Sequence, residues 1–250
     1  MNVFSALLPQ KFLAVATLFC ASALLIVSSG CGLTAKAQNA EGVRLYQQGQ
    51  FPGAQQRFQQ AIHGNPRSAD AYYNLAATYH QNGKASKQPG ELDQAESYYH
   101  QCLDREPNHR DCYRGLAVLL VEQERSEEAF RLVEGWMTRS PSLADPRIEL
   151  ARLSEEFGDH KASEHYLLEA LNVEPNNSRA LAALGRLREE SGNQAQALAN
   201  YQRSLWNDRF QPEVAARVAA LQTALGTSAV ASAAPPPGTR AATAPAPIFR

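Results

Sequence analysis

Between residues 37 and 225 the apolar positions recur at three- and four-residue spacing, the period of helices that bury one face. The apolar segments come in pairs separated by a short polar break, as in NLAATYHQNGK and ARLSEEFGDHK. Pro66, Pro107, Pro141 and Pro175 follow successive pairs at intervals of 41, 34 and 34 residues. An independent series, Ala54, Ala95, Ala129, Ser163 and Ala197, has intervals of 41, 34, 34 and 34. Both series exceed the common period by the same seven residues, so one insertion is expected near 84–94 (KASKQPGELDQ).

Residue types follow the same register. The first segment of each pair carries a very small residue at one place: Gly42, Ala76, Ala117, Ala151 and Gly185. The second segment does so at the Ala54 series and, one turn later, has a large apolar residue: Phe58, Tyr99, Val133, Leu167 and Tyr201. Small residues let antiparallel helices approach to about 8–10 Å, and the large ones fill the groove between them. Each proline is expected to end a second helix, since it lacks an amide hydrogen and disfavours helical geometry before it. Ser68, Ser142 and Ser178 stand where caps of the following helices are expected.

The stretch NPRSADAYYNLAATYHQNGK, with Ala95, Tyr99 and Pro107 downstream, resembles the tetratricopeptide-repeat (TPR) motif. The resemblance covers about residues 37–209 as five units. It implies an all-α fold: an α-solenoid of helix-turn-helix repeats. Three departures stand out. Glu41 occupies a place held elsewhere by Leu75, Leu116, Leu150 and Leu184. Trp136 replaces a small residue, which predicts looser packing, and Arg209 stands where the closing proline would be. Residues 212–225 (PEVAARVAALQTAL) read as a capping helix with a stripe of Val214, Val218, Leu221 and Leu225, begun by Pro212 and stopped by Gly226.

The ends differ from this middle. Residues 12–27 are apolar, uncharged and preceded by Lys11, so residues 1–30 read as an export signal. Sixteen residues are short against the roughly 20 needed to span a bilayer. Ser28-Ser29-Gly30-Cys31 resembles the cleavage box of bacterial lipoproteins, which implies lipidation of Cys31 and a tether over 31–36. Gly32 in place of Asp implies, by the same resemblance, sorting to the outer membrane, with the chain facing the periplasm. An uncleaved signal anchor and simple secretion are the rival readings. Residues 226–250, rich in Ala and Pro, are expected to be a disordered tail.

Charge is nearly balanced, with 24 Lys+Arg against 25 Asp+Glu. No basic stripe suits nucleic acid and no basic cluster suits an anionic bilayer. No HExxH, CxxC, phosphate loop or GxSxG motif is present, so neither cofactor, metal, small-molecule substrate nor catalysis is expected. Cys102 and Cys112 flank a loop that could close into a disulfide in an oxidising compartment, or both could be small core residues.

The TPR resemblance implies a protein or peptide partner held on the face of the first helices. Tyr73, Asn74, His80, Arg114, Val118, Ile148, Arg152 and Arg186 are the groove candidates, with Arg114, Arg152 and Arg186 as a spaced row. That row could grip acidic groups or simply pair with neighbouring glutamates. Of the residues with which TPR domains clamp a terminal carboxylate, only Asn74 is matched, so that use is not expected. The function expected is a lipid-anchored interaction scaffold. The alternative is a structural subunit whose groove is filled by its own tail or by another copy.

Overall fold

The computed structural model describes residues 33–88 and 90–232, and all regular structure there is helical. The lipidation candidate Cys31 and the far tail lie outside the described residues. The chain divides into two units at Ser140–Pro141. The first contains α1 (33–47), α2 (Phe51–Gly64), α3 (Ala69–Ser86), α4 (Glu91–Arg105), α5 (Arg110–Glu122) and α6 (Ser126–Arg139). The second contains α7 (Asp145–Glu156), α8 (His160–Val173), α9 (Ser178–Glu190), α10 (Gln194–Asn207) and α11 (Pro212–Ser232). No described helix is long and apolar enough to cross a membrane.

Tight packing follows the register. Ala54, Ala95, Ala129, Ser163 and Ala197 are all 0% exposed, and the large residues one turn later are buried beside them. In the first and last pairs the large residue is a ring and its neighbour across the helix pair is glycine. A Cβ on Gly42 would come within 2.6 Å of the Phe58 ring, and one on Gly185 within 2.7 Å of Tyr201. Ala117 and Ala151 accompany the smaller Val133 and Leu167. Tyr99, opposite Ala76, lies beside Tyr73 and His80 of its own pair and also reaches the following hairpin, where a Cβ on Gly115 would meet it at 2.5 Å. Volume is conserved place by place, as close-packed interiors require.

Turns repeat as faithfully. One place in the turn between paired helices has positive φ in every hairpin: Gly49, Gly90, Glu124, Gly158 and Gly192. Glutamate at φ 62° carries a strain of about 1 kcal/mol that glycine avoids. Each of these second helices ends at a non-helical residue directly before a proline: Asn65 (φ −144°, ψ 87°), Glu106 (φ −135°, ψ 93°), Ser140 (φ −131°, ψ 64°) and Glu174 (φ −129°, ψ 86°). Asp208 has a similar φ of −141° with ψ 111° before Arg209, so no proline is needed for it. The seven inserted residues lengthen α3 to 18 against 13 in α5, the turn to four residues against three, and α4 to 15 against 14 in α6.

Several expectations need correction. Ser68 caps α3, accepting the Ala71 amide, but the caps of α7 and α9 are Ala144 and Asn177, not Ser142 and Ser178. Asn177 accepts the Ala180 amide at 3.0 Å, and Ser178 is already helical. Ala144 has no capping side chain, and the Glu174 carboxylate accepts its amide instead at 3.0 Å. Trp136 is not loosely packed: it is fully buried, stacks on Tyr113 at 4.1 Å, and its indole donates to Asn108 Oδ1 at 2.9 Å. Residues 33–36 are helical, not a tether, with Ala35 buried. Finally, α11 runs through Gly226 to Ser232, so the tail's first residues are helical. One glycine costs a helix only about 1 kcal/mol, and no proline follows until Pro235.

Candidate binding site

In the first unit, two first helices meet the ring of Phe58 around a pocket of about 220 Å³. Its walls are Val43, Tyr46 and Gln47 from α1, and Tyr73, Asn74 and Ala77 from α3. These places are four and three residues apart, so each helix presents them on one face. Of the groove candidates, Tyr73 and Asn74 line the pocket, whereas Tyr46 and Gln47 were not among them. Their signal was faint: they lie a turn beyond Val43, at the end of the first helix of a weakly matching unit.

Fixed contacts set the pocket's shape. Asn74 donates one amide hydrogen to Asn39 Oδ1 at 3.1 Å. Tyr73 is half-buried and stacks on His109 at 5.6 Å. Burial pushes the Tyr73 phenol above its ordinary pKa, with Asp111 and Tyr46 adding to the rise. Burial likewise raises Tyr46, opposed by the Lys84 charge. Both phenols therefore keep their protons at neutral pH and can donate. No charged side chain lines the pocket.

His109 is itself held from three sides. Its Nδ1 accepts the Cys112 amide at 3.2 Å, capping α5, and its Nε2 faces Asp70 Oδ1 at 3.2 Å. Cys102 and Cys112 form a disulfide with Cα atoms 6.5 Å apart. Cys102, His109 and Cys112 bring ligand-type atoms within 4.8 Å of one another, but the two sulfurs are bonded together and both imidazole nitrogens are engaged. As it stands this cluster braces the wall behind Tyr73.

His80 is buried and not offered to a groove: its Nε2 pairs with Glu122 Oε2 at 2.9 Å, and Lys84 holds the other carboxylate oxygen at 2.6 Å. Desolvation alone would raise the Glu122 pKa, but the bonds from Lys84 and His80 outweigh it and lower it. Arg114 is exposed and Val118 half-buried on α5.

The second unit treats the same register places differently. Ile148 is buried in a cluster with Ala151, Leu167 and Leu184. Arg152 bonds Glu149 at 3.2 Å and Glu156 at 3.0 Å. Arg186 bonds Glu155 at 2.6 Å. Glu149 is 0% exposed and also receives Arg179 at 2.9 Å, while Arg179 pairs in addition with Asp145. Ion pairs thus tie α7 to α9 across the face where Arg152 and Arg186 stand, the pairing alternative of the two readings. Arg114 belongs to the first unit and these two to the second.

Tandem two-helix repeats that leave first-helix side chains around a pocket define a helical-repeat scaffold for protein–protein interaction. More particularly, the chain carries tetratricopeptide repeats: two family models match it, "TPR repeat" over residues 42–83 and "Tetratricopeptide repeat" over residues 88–152. The solved structure of TTC0263, a TPR protein of Thermus thermophilus, superposes with TM-score 0.54 at 24% identity, covering 76% of this chain and 99% of that one. Pseudomonas aeruginosa pilF does so with TM-score 0.51 at 18% identity, covering 81% and 89%. Both similarities are of fold. Among curated proteins, cellulose synthase operon protein C of Pseudomonas fluorescens is 27% identical over 108 residues, 40% of this chain and 8% of its own length. Cellulose synthase 1 operon protein C of Komagataeibacter xylinus is 26% identical over 170 residues, 62% and 12%. The matched stretch thus spans about a tenth of those relatives.

Proposed function

We propose that the chain is a non-catalytic docking scaffold, held at a bacterial outer membrane through lipid on Cys31, that binds a protein segment at the first-unit pocket on its periplasmic side. The observation that carries the binding claim is the pocket itself: α1 and α3 turn tyrosines, side-chain amides and an apolar floor toward one concavity. The anchor rests on the Ser28–Cys31 sequence, and the bacterial sources of the similar proteins supply a setting in which that lipidation occurs.

Two experiments separate the claims. Cys31→Ser should move the chain from the membrane to the soluble fraction, and unchanged retention defeats the lipid anchor. Chain recovered from gently solubilised membranes should bring a partner with it, and Ala77→Glu, which puts a charge in the pocket, should lose that partner without loss of helical content. Equal recovery by both forms removes the pocket from the function.

A further inference from the structure

Building on the reading of the α1–α3 pocket as a recognition site, the structure assigns it a ligand class: we infer that it takes an uncharged, proline-rich segment in the extended polyproline II conformation. Four features lead there. The lining has neither Lys, Arg, Asp nor Glu, and the charges that reach its tyrosines from outside, Lys84 at Tyr46 and Asp111, Arg114 and Arg110 at Tyr73, are of both signs. At about 220 Å³ the pocket admits side chains and not the body of a helix, whose diameter with side chains is about 10–12 Å. Two tyrosines, Tyr46 and Tyr73, stand in the lining, the type of side chain on which pyrrolidine rings pack, and Phe58 closes the floor. Aromatic-lined grooves are how proline-rich segments are commonly recognised.

Hydrogen-bonding capacity agrees with that occupant. A polyproline II segment makes no internal hydrogen bonds, so its carbonyls need donors. The pocket supplies them. Asn74 has spent only one of its two amide hydrogens, on Asn39. Gln47 is exposed at the mouth, and the two phenols remain protonated. Proline, which lacks an amide hydrogen, leaves no donor that the apolar floor of Val43, Phe58 and Ala77 would have to satisfy. The wall is also preformed: Tyr73 is braced by His109, which the Cys102–Cys112 disulfide and Asp70 hold in place. A stiff ligand meeting a stiff wall loses little conformational freedom on binding.

The test is calorimetric titration of the full chain with a blocked, uncharged (Ala-Pro)5 peptide, with the ring signals of Tyr46 and Tyr73 followed by NMR. Its counterpart has every proline replaced by glutamine. Saturable binding of the proline peptide, at least about tenfold tighter than the glutamine peptide, is expected. Tyr46→Ala and Tyr73→Ala should each weaken it by about tenfold or more, the loss typical of a central contact. Arg186→Ala, in the second unit, should leave it unchanged. Should either tyrosine variant unfold by circular dichroism, Ala77→Gln fills the same space while keeping both rings and should abolish binding. Equal affinity for the two peptides, no saturable binding, or binding indifferent to the pocket variants overturns the inference. If Ala77→Glu still costs the chain its membrane partner while the proline peptide is ignored, the ligand class is wrong and the pocket's role stands.

Discussion

The two units share one register yet solve the same packing problem with different chemistry. In the first, ring stacks stand beside the Lys84–Glu122–His80 cluster that joins α3 to α5: Tyr113 stacks on Trp136, Tyr79 on Tyr98 and Tyr73 on His109. In the second, aliphatic residues form the core and charges tie helices together, with Glu149 and Asp145 holding Arg179 and Glu155 holding Arg186. Rings of different size leave concavities, and one of these is the pocket. Paired charges occupy a face, because Arg152 and Arg186 each already hold a carboxylate. The repeat thus fixes where a side chain points, while its chemistry decides whether that face is open to a ligand.

The largest effect should come from removing a ring of the first unit. Trp136→Ala should cost about 3–5 kcal/mol in denaturant unfolding. Added salt should not change that cost, because the lost contacts are stacking and one neutral hydrogen bond. A cost below about 1 kcal/mol would mean that the rings fill space without supporting it.

In the second unit the corresponding probe is Glu149→Ala. Removing one member of a buried ion pair typically costs about 3–5 kcal/mol. Arg152 and Arg179 are 26% and 30% exposed and partly solvated, so about 2–3 kcal/mol is expected. Concentrated salt should shrink this difference where it leaves the Trp136 difference alone. Identical salt responses would erase the distinction between the units.

A smaller pair of changes uses one turn place in both. Glu124→Gly in the first unit should stabilise by up to about 1 kcal/mol, by relieving a positive φ. Gly158→Ala in the second should destabilise by about the same amount. Thermal unfolding reads both, and a loss of stability in the Glu124 variant would show that its side chain contributes more than its backbone costs.

The smallest is a pH effect confined to the first unit. Glu122 has its pKa lowered in the folded state, so its contribution is present above the unfolded value of 4.5 and fades as pH falls through the folded one. Glu122→Gln should flatten the acid limb of the stability–pH curve below pH 4.5. An unchanged limb would remove the Lys84–Glu122–His80 cluster from the acid response.

Much of the fold was legible because it depends on volume at fixed spacing, which a sequence displays directly. The Ala54 series and its large partners needed no tertiary information. Caps were less legible, since a serine one residue from the true cap looks equally suitable: Ser178 stands beside Asn177, and Glu174 reaches Ala144 from 30 residues away. Trp136 suggested looseness only while its partners Tyr113 and Asn108 were unseen. The arginine row was visible as residue types, but which glutamates reach Arg152 and Arg186 depends on helix rotation, which spacing does not encode. The pocket was half visible, through Tyr73 and Asn74. Its other wall needed the approach of α1, where the repeat signal is weakest.

The claim that recognition belongs to the first unit and not the second is tested most directly by photocrosslinking. A benzoyl-phenylalanine is placed at position 47, at the mouth of the pocket, or, at the matching register place of the second unit, at position 190, in chains otherwise alike in native membranes. A discrete adduct is expected from 47, suppressed by excess proline-rich peptide, and none from 190. An adduct from 190 with none from 47 would contradict the claim.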